Sequence, residues 1–366
     1  MLPRLPPGAD ILIARLRSLG DIVLESPAIA ALHEWRPDLR IFVLIEERFA
    51  PALEGNPAVA GLLFSRGFAE TAAALRQRRF PMVFNQHGGP RSTLLTAASG
   101  SPIRVGWKGF QYAFVYNVRV PDAAEFYGTP IVHTVEHRIS QFYWTGLPRG
   151  PIPPARVFPQ PGAAEHVRKI LAEHGVSGAD TPYAVLQPQA RLSTMQWPAE
   201  KFAEIARGLW EKHGIASVVN LAANNVPGAS EARSKLAEVA IVPESLGLRE
   251  LIALISGARI FIGNDSGPCH VAAAARTPSV VIYGPTNAAQ WRPWQTEHHV
   301  VTTGAQFRAI RGDKTIASTE SRTIASIGVD EVRAACEDLI STGLIDQRCE
   351  VHGDSSSQPR TREKAQ

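Results

Sequence analysis

The stretch Phe261-Ile262-Gly263-Asn264-Asp265-Ser266-Gly267-Pro268-Cys269-His270, running on into Val271-Ala272-Ala273-Ala274-Ala275, decides how this chain is read. A short apolar strand, Ala258 to Ile262, stops at a glycine, turns through polar residues and enters an alanine-rich helix. Asp265 or Ser266 is placed to cap that helix, and Pro268 fits its first turn, where a missing N–H costs nothing. The free amides from Ser266 and Gly267 onward face whatever occupies the turn. Together with the helix dipole they favour an anion, a phosphate above all. Gly267 removes the side chain that would keep ligand oxygens from the backbone. A second strand, Ser279 to Tyr283, leads into a second polar turn, Gly284-Pro285-Thr286-Asn287. Two such junctions at one end of a parallel sheet form a crevice, the usual ligand position in open α/β folds. Two capped helices without a ligand explain these residues equally well, so the rest of the chain must decide.

Strand and helix signals alternate on both sides of that stretch. Toward the N-terminus, Asp10 to Leu16 reads as a buried strand and residues 20 to 35 as a helix. Strands follow at Arg40 to Ile45, Val59 to Phe64, Pro81 to Asn85, Ile103 to Trp107 and Phe114 to Val118. Between and after them come helices at Glu47 to Glu54, around 69 to 79, through Leu94 and Leu95, and at His133 to Thr145. Gly146 to Pro154 is rich in proline and glycine and reads as a linker. The alternation then restarts, with strands at Tyr183 to Gln187 and Ala216 to Leu221. Its helices lie near 162 to 174 and at Pro198 to His213, Ala229 to Val239, Leu248 to Gly257 and Val329 to Thr342. Two βα series predict an α/β protein of two doubly wound, Rossmann-like domains facing across a cleft. The expected boundaries are 1–150 and 151–345, with 346–366 a polar, disordered tail.

Composition narrows the function. A 45% hydrophobic, 20% charged chain of 366 residues can bury two ordinary cores. It has no apolar run of about 18 residues to span a bilayer. The N-terminus lacks the apolar core of a signal peptide, and three scattered cysteines form no disulfide framework, so a reducing cytoplasm is expected. The net charge of +4 suits anionic substrates or the anionic face of a membrane. No basic block with interleaved aromatics is present, which argues against nucleic acid.

The first βα turn, Arg15-Leu16-Arg17-Ser18-Leu19-Gly20-Asp21, puts a carboxylate at a helix start on the C-terminal edge of the first sheet, facing the cleft opposite Asp265. Asp21 there is either a general base for a hydroxyl or a complement to the helix dipole. G-x-G-x-x-G, the P-loop pattern, a G-x-S-x-G elbow and H-E-x-x-H are all missing, as is a D-x-D pair for a metal on a nucleotide sugar. His133 and His137 are spaced for one helix face but lack a third ligand, so packing is the better reading. A metal-free phosphate site opposed to a carboxylate remains. That layout suits group transfer from a nucleotide donor, with helix N-termini carrying the leaving diphosphate.

On these residues the chain resembles the bacterial heptosyltransferases, the family-9 glycosyltransferases of lipopolysaccharide core assembly. Ile11 to Asp21, Phe49 to Pro57 and Gly263 to His270 carry the resemblance, with Ala272 to Ala274, Thr277-Pro278 and Tyr283 to Thr286 adding to it. It implies the GT-B fold, ADP-heptose as donor, no metal, and direct displacement with inversion. Asp21 would deprotonate the acceptor hydroxyl, with Gly20 beside it. Gly263, Ser266 and Gly267 would form the donor-phosphate turn, Asp265 would contact the donor sugar, and His270 would complete the anion site. The backbone near Ser245 and Leu246 would lie against the base, and Arg91 and Ser92 on the acceptor side. A lipid-linked acceptor implies peripheral contact with the cytoplasmic face of the inner membrane, through basic surface.

Three positions depart from the pattern. Met195 stands two residues before Trp197-Pro198, where the family has a lysine for the diphosphate, and Arg191 is the nearest replacement cation. Ala222-Ala223-Asn224-Asn225 replaces an acidic residue for the ribose, and 304–326 lacks a cysteine cluster. These departures leave two alternatives: a member that binds nucleotide or glycan without transferring, and a transferase using a UDP- or GDP-sugar.

Overall fold

Eleven strands, assembled into two parallel sheets, carry the molecule in this computed structural model, which describes residues 1–176, 181–221, 228–244, 246–304 and 323–341. The first sheet contains β1 (Asp10–Ala14), β2 (Arg40–Ile45), β3 (Gly61–Phe64), β4 (Met82–Asn85), β5 (Ile103–Trp107) and β6 (Val118–Val120). Its spatial order is β3-β2-β1-β4-β5-β6. The second contains β7 (Tyr183–Gln187), β8 (Ala216–Val219), β9 (Ile260–Asn264), β10 (Ser279–Tyr283) and β11 (His298–Thr302), in the order β11-β10-β9-β7-β8. A parallel bridge from Val218 to Ile241 adds a one-residue rung beyond β8. Counting that rung as a shortened strand, both sheets have the dinucleotide-binding order 3-2-1-4-5-6. Each then reverses direction between its first and fourth strands.

The central strands are buried on both faces, as helix-covered parallel sheets require, while the edge strands β3, β6 and β11 are partly exposed. Ile11 and Ile13 of β1 face one core layer with Ile29 and Leu32, while Leu12 and Ala14 face another with Leu75 and Phe80. In the second sheet Val185 and Phe261 face one layer, and Leu186 and Ile262 the other. Burying each such side chain is worth about 1.5–3 kcal/mol, enough to fix every strand's register.

Two expectations need correction, and two elements were not foreseen. The helix read over 20–35 is two, Leu19–Val23 and Ser26–Trp35, because Pro27 cannot continue the first ladder and opens the second. The strand expected at Phe114 to Val118 is a 3-10 turn, Ala113–Val115, followed by β6. Buried Tyr116, whose hydroxyl meets Asn85 and Thr93 at 2.8 Å, holds the chain inward there. β11 and the short helix Ala123–Tyr127 carry no periodic signal in the sequence. The tail beyond 345 lies outside the described residues. Among the described residues no helix is long and apolar enough to cross a membrane.

Candidate active site where the two sheets meet

The reversal points of the two sheets lie against each other. At the first, β1 ends and the chain enters the Leu19–Val23 helix; at the second, β9 ends and enters the Gly267–Ala274 helix. The helices touch through glycines on both sides. A Cβ on Gly20 would fall 2.5 Å from the His270 ring, and one on Gly267 would fall 3.0 Å from Leu19 Cβ. Neither glycine has a positive φ, so close approach is what selects them here.

Asp21 sits in the third position of its helix with its side chain 18% exposed. Its Oδ2 accepts from the Ser18 hydroxyl at 2.9 Å and the Ser18 amide at 3.4 Å. Its Oδ1 accepts from Arg138 Nη2 at 2.8 Å and is paired with Arg15 Nη2. Both arginines are buried, and both donate to the Gln86 carbonyl at the end of β4. Burial alone would raise the Asp21 carboxyl; Arg15, Arg138 and the Ser18 hydrogen bonds outweigh it and hold the group at about 2. Asp21 is therefore ionised throughout the neutral range. His87, just past β4, is pushed down to about 4 by burial and by Arg15 and Arg17, and is neutral there. Arg15, Arg138 and His87 were given no role in the sequence. Arg138 lies 117 residues from Asp21, and only the packing of the Thr134–Thr145 helix brings them together.

The opposing turn is built tightly. β9 runs two residues beyond the expected Ile262, since Gly263 pairs with Gln187 and Asn264 with Ile282. A side chain at 263 would strike Gln187 Cβ at 2.6 Å. Asn264 is fully buried: its Nδ2 donates to the Pro188 carbonyl at 2.7 Å, and its Oδ1 accepts from the Trp197 amide at 3.0 Å. It thus pins both ends of the loop carrying Arg191 and Met195 beside the turn. Ser266 is the N-cap residue, but its hydroxyl donates back to the Asn264 carbonyl at 3.0 Å and caps no helix amide. Asp265 is pushed up to about 6 by burial, against a hydrogen bond with Thr286. His270 is buried and held at about 4 by burial and His133, so it is a neutral imidazole whose Nδ1 has no partner.

The remaining expected residues fall as follows. Arg191 is exposed and Met195 half-buried, in the loop after β7. Leu246 is half-buried against the core, while Ser245 and residues 222–225 lie outside the described residues. Ser92 is fully buried, donating to the Gly89 carbonyl at 2.9 Å and accepting from Asn85 at 3.2 Å, so it braces the turn before its helix. Arg91 is exposed and donates to Ser65 Oγ at 3.0 Å and to the Arg66 carbonyl. With Arg17, Arg66, His87 and Glu46 it lines a cavity of about 350 Å³ beside Asp21's turn. Glu46 is paired with Arg48 and Arg66 with Glu47 and Glu70, all three partners outside the lining, so three arginines against one carboxylate leave the wall net cationic. His133 caps its helix through Nδ1 and meets the Arg292 carbonyl at 2.9 Å, while His137 packs on Trp107 at 4.2 Å. Asp265, Cys269 and His270 bring potential ligand atoms within 4.8 Å of one another, all buried. Burial first, then Asp265, keeps the Cys269 thiol protonated.

An ionised carboxylate set against a helix N-terminus without a side-chain cap, each at a sheet's reversal point, is the layout of a two-domain GT-B fold. The model of glycosyltransferase family 9 (heptosyltransferase) matches residues 69–315, and the chain belongs to that family. It is 24% identical over 340 residues to lipopolysaccharide heptosyltransferase 3 of Escherichia coli K12, covering 89% of this chain and 96% of that one. Among solved structures it resembles a family-9 glycosyltransferase from Veillonella parvula, with TM-score 0.80, 19% identity and coverage of 92% and 98%. It also resembles an E. coli heptosyltransferase solved with ADP, with TM-score 0.68, 18% identity and coverage of 90% and 99%.

Proposed function

We propose that this glycosyltransferase moves a heptose or related sugar from a nucleotide donor, ADP-heptose first, without a metal, to a lipopolysaccharide-core or other surface-glycan acceptor, inverting the anomeric centre. The observation that carries this reading is the contact of the Asp21 helix with the Gly267–Ala274 helix through Gly20 and His270. Asp21 takes the proton from the acceptor hydroxyl as its oxygen attacks the anomeric carbon, and the bond from that carbon to the diphosphate breaks. The charge arriving on ADP meets the first-turn amides of the Gly267–Ala274 helix, with Arg191 as the cation from the loop after β7. A base held at about 2 is weak toward a neutral hydroxyl, so proton transfer belongs late, once the attacking oxygen has become acidic. The cationic cavity of Arg17, Arg66 and Arg91 suits an acceptor bearing carboxylates or phosphates. A lipid-linked acceptor brings the enzyme to the membrane peripherally through basic surface, and high salt should release it.

The test is ADP release from ADP-heptose on adding lipopolysaccharide truncated in its inner core, alongside calorimetric titration with ADP, UDP and GDP. Selective ADP binding and acceptor-dependent turnover that Asp21→Asn abolishes are expected. Preference for UDP or GDP moves the donor, and binding without turnover favours a non-catalytic role.

A further inference from the structure

Glu25 lies directly beneath the Asp21 cluster with none of its surface exposed. It is the N-cap residue of the Ser26–Trp35 helix, in the break that Pro27 imposes, so its side chain points inward instead of along a solvated helix face. Both carboxyl oxygens lack a hydrogen-bond partner, and Arg138 Nε, equally unpartnered, stands 3.9 Å from Oε2. The charged groups facing Glu25 are Arg138 from the Thr134–Thr145 helix, Arg15 from the end of β1, and Asp21 from the preceding helical turn. A buried carboxyl without hydrogen bonds is costly, and nothing in the core packing calls for one here.

We propose that Glu25 is a positioning residue for the catalytic carboxylate: when ionised it shares Arg138 with Asp21 and sets how much of the guanidinium's charge falls on the base. This rests on the reading of Asp21 as that base. With Glu25 neutral, the two buried guanidiniums favour the ionised Asp21 carboxylate and weaken it as a proton acceptor. An ionised Glu25 brings the four groups to neutrality and repels the Asp21 charge, strengthening the base. A protonated Glu25 releases Arg138 wholly to Asp21. Burial raises Glu25 to about 7 against the pull of Arg138 and Arg15, so the exchange falls in the neutral range. The base is then stronger above that pH and weaker below it, with Glu25's proton passing to and from solvent.

The test is ¹³C-carboxyl NMR of the full chain labelled at Asp and Glu, titrated from pH 5 to 9, with Asp21 and Glu25 assigned from Asp21→Asn and Glu25→Gln. Glu25 should titrate near neutrality, and the Asp21 resonance should move with the same midpoint and lose that movement in Glu25→Gln. An Asp21 resonance that is flat in the wild-type chain overturns the inference, and needs only the near-isosteric Asp21→Asn variant for its assignment, whether or not Glu25→Gln folds. So does one that moves identically in Glu25→Gln. In the transfer assay kcat should rise with pH through the same midpoint. Glu25→Gln should be several-fold slower with that inflection gone and the KM for ADP-heptose unchanged. A slow Glu25→Gln that keeps the inflection marks a merely structural role. If Asp21→Asn stays active, the base assignment itself fails. If Asp21→Asn is dead and Asp21 does not respond to Glu25, only the present inference does.

Discussion

The two reversal points are built on the same strand order, yet they treat a buried carboxylate in opposite ways. At the first, Arg15 and Arg138 overcome burial and hold Asp21 at about 2; at the second, burial prevails and lifts Asp265 to about 6. The topology supplies a crevice in each case, and the charged neighbours decide its chemistry. A base must be ionised when its substrate arrives, and buried arginines secure that. On the proposed function Asp265 lies beside the donor diphosphate, where its higher affinity for a proton lessens the repulsion that a fully ionised carboxylate would exert. If the proposed function holds, the difference between the crevices is a division of labour between acceptor and donor.

The largest effect that could break this division is the loss of Asp21. Asp21→Asn keeps the shape and removes the proton acceptor, and should lower kcat by roughly 10²–10⁴-fold while ADP affinity stays the same. Wild-type kcat in that variant would leave the two crevices without distinct roles. Next comes the contact that joins them. Gly20→Ala would drive a methyl into the buried His270 ring, and the two helix starts would have to separate. Misplacement of that order costs roughly 10²-fold in transfer. Each half should keep its fold by circular dichroism, and ADP affinity should fall less than transfer, since the methyl strikes His270 and not the turn amides.

Much of this comparison was legible in the sequence, and the illegible parts have a physical cause. Asp21 and the Gly263 to His270 turn could be read because a strand end, a cap residue and a glycine lie adjacent in the chain. The strand runs could be read because parallel strands buried on both faces are continuously apolar. β11, His298–Thr302, escaped because an edge strand of His-His-Val-Val-Thr is only half-buried and carries no such run. Arg138, Glu25 and Asn264 escaped for a different reason. Their roles depend on partners many residues away, and nothing local distinguishes Arg138 from any arginine on a helix. Glu25 falls inside the single helix expected over 20 to 35, and only the split at Pro27 turns it inward.

A smaller effect sharpens the donor side. With its carboxyl raised to about 6 from an ordinary 3.8, Asp265 favours the folded state fully below pH 3.8, and that contribution is lost as pH rises through 6. Ligand binding follows the same sign, because the neutral form tolerates a diphosphate. ADP affinity should therefore weaken several-fold between pH 5 and 8, a drift that Asp265→Asn should abolish when followed by calorimetry. An Asp265→Asn variant with the wild-type drift would place its origin elsewhere.

The smallest expected effect is that of a chelator. Asp265, Cys269 and His270 have the residue types and spacing to hold a cation at the second crevice, and all three are buried. Each would have to present a deprotonated ligand atom, whereas burial and Asp265 keep the Cys269 thiol protonated, and Cys269 packs in the core with Val271 and Ala272. On the proposed function the helix amides, which the Ser266 side chain leaves uncapped, already serve the leaving diphosphate. Prolonged EDTA treatment should therefore leave kcat and ADP affinity unchanged. If activity fell and a divalent ion restored it, the donor charge would be neutralised by a metal instead of by helix amides. Cys269→Ser should then blunt the response to that ion, and the second crevice would match the first in relying on a fixed cation.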